Sequence, residues 1–147
     1  EYAKGFASRS ISKFKNNHKK HILLVLIGGI SFILTSILVG PYLYNIWLSG
    51  KFNITSIILI LIIFDVFLIV LRNSFIIILR STNNMFHIGL FEFILSLIMI
   101  MSCYYFLILG KNIETCLMII LIGSSISLFF SINKVRLFYK NKFKINK

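Results

Sequence analysis

The sequence predicts an all-α membrane protein with four transmembrane helices and both termini cytoplasmic. Three observations carry that prediction. Hydrophobic residues make up 58% of the 147-residue chain and charged residues only 14%, whereas a soluble domain needs about 25% charged residues to cover its surface. Mean hydropathy is +0.91. The apolar residues fall into four long runs, and the lysines and arginines gather outside most of their length.

The same composition excludes other classes. Ile, Leu and Phe dominate, so the chain is not disordered. One proline and eight glycines fit neither collagen nor a linker. The net charge of +12, from 16 Lys and Arg against 4 Asp and Glu, would point to nucleic acid in a soluble domain. Here it reads as a topology signal and an attraction to anionic membrane lipid, so no nucleic-acid partner is expected. Cys103 and Cys116 show no paired spacing. Buried free thiols are expected rather than a disulfide framework or a zinc site. The chain begins at Glu1 rather than Met and is expected to be the C-terminal part of a longer polypeptide.

Residues 1–20 form a polar, basic cytoplasmic segment that is either a solvated loop or one in which Tyr2, Phe6, Ile11 and Phe14 lie as an apolar stripe on the membrane surface. The transmembrane region is expected over 21–133. A bilayer core of about 30 Å needs about 20 helical residues, and residues 22–47 supply the first span. Gly40-Pro41 marks a place where this span can kink. Tyr42, Tyr44 and Trp47 follow as an interfacial aromatic belt. The second span, about 54–80, contains Asp65 and Arg72. A polar turn, STNN, leads to the third span, about 86–108, which contains Glu92. The loop GKNIE leads to a charge-free fourth span, about 115–133, and a basic tail, 134–147. Runs such as SIILILIIF do not alternate, so barrel strands are excluded. Helices are then the remaining way to satisfy the backbone in lipid.

Orientation follows from the basic residues. Six lie in the N-terminal segment and six in the tail, with Arg72 and Arg80 at the middle turn; the opposite loops hold only Lys51 and Lys111. The positive-inside rule then places both termini in the cytoplasm.

Three charges inside spans call for a reason, because each costs about 2.5–3.5 kcal/mol at mid-helix on insertion scales. Arg72 and Glu92 stand ten residues before and ten after the turn at residue 82. Equal depth predicts a charge-assisted hydrogen bond between them, either as a latch for the hairpin or as part of a gated polar site. Asp65 lies near the midplane, at the depth of Thr35, Ser36, Ser124 and Ser125. It is a candidate for a proton or sodium site or for binding a substrate hydroxyl, and equally for a structural hydrogen bond to a neighbouring helix. Gly28, Gly29 and Ser31, and Gly123, Ser124 and Ser127, suit close helix approach. His18, His21 and His87 lack a metal-ligand partner at helical spacing. Asn83 and Asn84 are turn formers by residue type. No nucleophile–base constellation, phosphate loop or catalytic carboxylate pair occurs, and neither enzyme activity nor a cofactor is expected.

The order of features resembles the C-terminal part of Wzx-type O-antigen and capsular polysaccharide flippases, in the multidrug/oligosaccharidyl-lipid/polysaccharide exporter superfamily. The resemblance rests on a basic loop, a span ending GPYLYNIWLSGKF, a long span ending LRNSFIIILRSTNN, and a span opening FHIGLFEFILSLIM before a loop that begins at Gly110. Gly40 and Trp47, Asn83 or Asn84, and Glu92 match the family's recurring positions. The resemblance implies a parent of twelve or more helices in two lobes in the bacterial inner membrane, the remaining helices being partners of these four. It implies a cleft that passes an undecaprenyl-diphosphate-linked oligosaccharide by alternating access. Arg72, Glu92, Asn83 and Asn84 would then serve substrate binding or gating, with Arg72 meeting the diphosphate. Asp65 matches no family position. Two other readings fit four spans: a self-contained small transporter of the GtrA-like or small multidrug type, or a non-transporting membrane anchor subunit. The small multidrug type wants an acid in its first helix, and residues 21–50 hold none.

Overall fold

A computed structural model describes residues 11–48, 56–83 and 85–144. Four helices account for nearly all of them: α1, Ile11–Leu48; α2, Ser56–Ser81; α3, Phe86–Ile108; and α4, Ile113–Lys144. Each is long and apolar enough to cross a membrane. Residues 1–10 of the basic N-terminal segment, the expected loop within 49–55, Asn84 and the last three residues lie outside the described residues.

The helix ends follow local chemistry. α1 begins inside the basic segment expected to lie on the surface, because residues 6–27 contain no glycine or proline to stop it. It also continues through Pro41 to Leu48. Of the expected aromatic belt, Tyr42 is exposed, whereas the Tyr44 and Trp47 side chains lie outside the described residues. α2 ends where Asn83 takes a positive φ of 54° and its N–H returns to the Arg80 carbonyl. Asparagine tolerates this left-handed conformation better than most residues. α3 has the bounds read from the sequence and ends in a Schellman turn. The Lys111 N–H donates to the Phe106 carbonyl and the Gly110 N–H to the Leu107 carbonyl. Gly110 carries the required positive φ, 72°. α4 does not stop at residue 133. It runs to Lys144, since no glycine or proline follows Gly123, so most of the expected tail is helix.

Packing order differs from chain order. α1 packs on α2, α2 packs on α4, and α4 packs on α3. The fourth helix therefore sits between the second and the third. Glycines and serines set the close approaches. A Cβ on Gly29 would collide with Phe67 of α2, and one on Gly123 with the Met99 side chain of α3. Ser124, Ser127 and Ser131, all buried, form a small-residue stripe on α4, which lets helices approach without large side chains between them. Gly28 differs from its expected role, because nothing lies within 4 Å of a Cβ added there.

The buried core sits at the lysine-rich end. Ile76, Ile78 and Leu79 of α2 meet Ile88 of α3 and Val135 and Phe138 of α4. His18 of α1 joins this end at 6% exposure. Its Nδ1 lies 3.2 Å from the Tyr139 hydroxyl, and Phe75 meets its ring edge-on. Elsewhere large apolar side chains such as Leu24, Leu38 and Met101 point outward, as suits surfaces solvated by lipid rather than water.

Candidate functional site

Arg72, Glu92 and Ser127 form a closed triangle of polar contacts. The Arg72 Nη1 lies 3.2 Å from Glu92 Oε1 and donates to Ser127 Oγ at 3.3 Å. Ser127 Oγ in turn donates to Glu92 Oε1 at 3.2 Å. Each residue comes from a different helix: α2, α3 and α4. The pair that equal depth predicts is thus formed, but not by two helices lying side by side. α4 stands between them, and its small serine leaves room for both long side chains to meet.

The triangle is not closed off. The side chains of Arg72 and Glu92 keep 21% and 28% exposure. Arg72 Nη2 reaches Asn73 Oδ1 at 3.5 Å, and its Nε is buried without a hydrogen-bond partner. Guanidinium carries five donors; with Nη1 engaged by Glu92 and Ser127 and Nε enclosed, the capacity left for an anionic group is at Nη2. Phe91 of α3 stacks on Phe130 of α4 at a centroid distance of 3.8 Å, beside the triangle toward the lysine-rich end, and Lys134 lies over the Phe130 ring. Aromatic stacking there fixes α3 against α4 and so fixes the placement of Glu92.

Asp65 occupies a second site about 10 Å farther along α2, at 1.5 Å per residue. The Ser124 hydroxyl donates to Asp65 Oδ1 at 2.5 Å. Ser124 and Ser127 are one helical turn apart on α4, so one face of that helix serves both carboxylates. Of the other polar residues expected at this depth, Thr35 bonds within its own helix to the Ser31 carbonyl and Ser125 to the Leu121 carbonyl.

Asn83 belongs to neither site. It is exposed in the turn after α2, where its conformation rather than its amide is used. Asn84 lies outside the described residues. Among the described residues no group of three or more His, Cys, Asp or Glu is arranged to hold a metal ion. The sequence reading missed the part played by Ser127. Its signal was present: Ser124, Ser127 and Ser131 recur at helical spacing within an apolar span. No family model, curated protein or solved structure matches the chain.

Proposed function

We propose that the chain is the C-terminal portion of a flippase that moves an undecaprenyl-diphosphate-linked oligosaccharide, such as an O-antigen or capsule repeat unit, across the bacterial inner membrane by alternating access. Both termini face the cytoplasm, in keeping with the distribution of lysine and arginine. The observation that carries this reading is the partly exposed Arg72 within an apolar span, held by Glu92 and Ser127 through Nη1 while Nη2 keeps a donor to spare. Intramembrane charges of this kind mark substrate or ion pathways. An arginine suits the planar, multidentate recognition of phosphate oxygens.

In this reading the substrate diphosphate displaces Glu92 from Arg72 during part of the cycle. Exchange of one anion for another keeps the guanidinium paired throughout, which avoids the cost of an isolated charge in lipid. Asn83 takes no direct part in that exchange. Asp65 with Ser124 offers a separate carboxylate for a proton or a sodium ion.

The test is Arg72→Gln in the complete transporter. Surface polysaccharide should be lost while the protein still inserts. Normal polysaccharide output from the inserted variant would remove Arg72 from the mechanism. The anchor reading makes the opposite forecast: simultaneous neutral replacement of Asp65, Arg72 and Glu92 would then leave transport intact.

A further inference from the structure

Cys103 of α3 and Cys116 of α4 face each other across the second hairpin. The Cys103 Sγ lies 3.7 Å from the Cys116 carbonyl oxygen, and the Cys116 Sγ lies 3.8 Å from the Cys103 carbonyl oxygen. The contacts are reciprocal, so both sulfurs occupy the same space between the helices. Both cysteines are free; Cys116 is buried and Cys103 partly exposed.

Three features make this pair more than apolar filling. First, the pair is in register with the other contacts that join these helices. Going up α3 and down α4, Phe91 meets Phe130, Glu92 meets Ser127, Met99 meets Gly123, and Cys103 meets Cys116. The facing positions are therefore set by the whole hairpin. Second, the Schellman turn at Gly110 closes the hairpin a short distance beyond the pair. A disulfide needs Cα atoms about 4.4–6.8 Å apart with suitably aimed Cβ vectors, and the reciprocal Sγ–carbonyl contacts show that the two backbones approach each other closely here. Third, the pair is close to the surface. At 1.5 Å per residue, Cys103 lies about 8 Å inside the end of α3 and Cys116 about 5 Å inside the start of α4. That end is opposite to the lysine-rich segments.

We infer that Cys103 and Cys116 are a modification site, joined in the membrane by a disulfide that ties α3 to α4 at the end facing away from the cytoplasm. The location of the oxidant rests on the topology given under Proposed function; the facing of the two thiols does not. The co-reactant is an oxidised dithiol carrier of the periplasm, where disulfides persist. The more exposed Cys103, as its thiolate, attacks one sulfur of the carrier disulfide. A mixed disulfide forms and one carrier thiol leaves. Cys116 then attacks the Cys103 sulfur of that mixed disulfide and releases the second carrier thiol. The two protons of the cysteines end on the carrier sulfurs, and the carrier takes up the two electrons. With this tie in place α3 and α4 move as one body, and any opening of the Arg72 site falls between that body and α2.

The test uses the full chain in its native membrane, with a protease site placed in the loop between Gly110 and Asn112 and thiols trapped by alkylation at lysis. After cleavage, the two fragments should remain joined without reductant and separate with it. Cys103→Ser should abolish the joining. Unmodified cysteines should gain a maleimide mass shift at both positions only after reduction. Fragments that separate without reductant, or full alkylation of both thiols before reduction, would overturn the inference. A reporter fused after Lys147 separates the two readings. A reporter on the periplasmic side refutes the topology; a cytoplasmic reporter together with free thiols refutes the disulfide alone.

Discussion

Arg72 and Glu92 meet at 3.2 Å across a helix to which neither belongs. Their own helices are separated by α4, and Ser127 contacts both side chains. The three groups act as a unit, so removing one charge strands the other. Arg72→Gln and Glu92→Gln should each lower stability by about 1–3 kcal/mol, while the double variant loses less than the two together. Unfolding by denaturing detergent, applied to the four combinations, gives the coupling. Additive losses would show that the two charges are independent.

Ser127→Ala removes one donor and one acceptor at the centre of the triangle but leaves both charges in place. The loss should be smaller, about 0.6 kcal/mol and at most about 1.7, the average and the upper end for hydrogen bonds between transmembrane helices. The same unfolding measurement reads it. A loss as large as that of Arg72→Gln would mean that the serine, and not the ion pair, sets the geometry.

Asp65 accepts from Ser124, and an amide oxygen can accept from the same hydroxyl. Asp65→Asn should therefore preserve stability within about 0.5 kcal/mol, whereas Asp65→Leu leaves the hydroxyl unpaired and costs about 1 kcal/mol. If Asp65 carries the coupling ion, Asp65→Asn uncouples transport without unfolding the protein. Ion-dependent uptake into vesicles separates these two effects.

Gly123→Ala should destabilise by about 1–3 kcal/mol through overpacking, since its Cβ would meet Met99. Met99→Ala in the same chain should recover most of that loss. Gly28→Ala provides the contrast, because open space surrounds that position. Its stability should be unchanged or slightly raised, by up to about 1 kcal/mol from helix propensity.

Tyr139→Phe deletes the hydroxyl beside the His18 Nδ1 and keeps the ring that stacks on the imidazole. The expected loss is about 0.5–1.5 kcal/mol. Cross-linking between introduced cysteines on α1 and α4 at the lysine-rich end should then slow, because this contact helps to hold the two helices together.

The helices were legible because lipid imposes a strict code. Spans need about 20 apolar residues and their backbones must bond internally, and Ile57 through Leu71 or Leu95 through Ser102 admit little else. The depth of Arg72 and Glu92 was legible too, since both are counted from one turn. Which helices touch was not legible. Periodicity distinguishes the faces of a helix poorly when nearly every residue is apolar, so nothing announced that α4 lies between α2 and α3. The cysteines show the limit from the other side. They have no motif spacing, yet depth counted about Gly110 pairs Cys103 with Cys116, as depth counted about residue 82 pairs Arg72 with Glu92. The far end of α4 was misjudged because lysines mark where lipid ends, while only glycine, proline or a lost partner marks where a helix ends.

The wedge position of the fourth helix bears on biosynthesis. Ribosomal synthesis delivers α2 and α3 to the membrane before α4 exists, so for that interval the guanidinium and the carboxylate lack the hydroxyl that links them and the surface that spaces them. They must either clasp prematurely or wait beside the insertion machinery. A nascent chain halted at Asn112 is therefore an orphan that membrane proteases should recognise, and completion of α4 is the event that releases it from that surveillance.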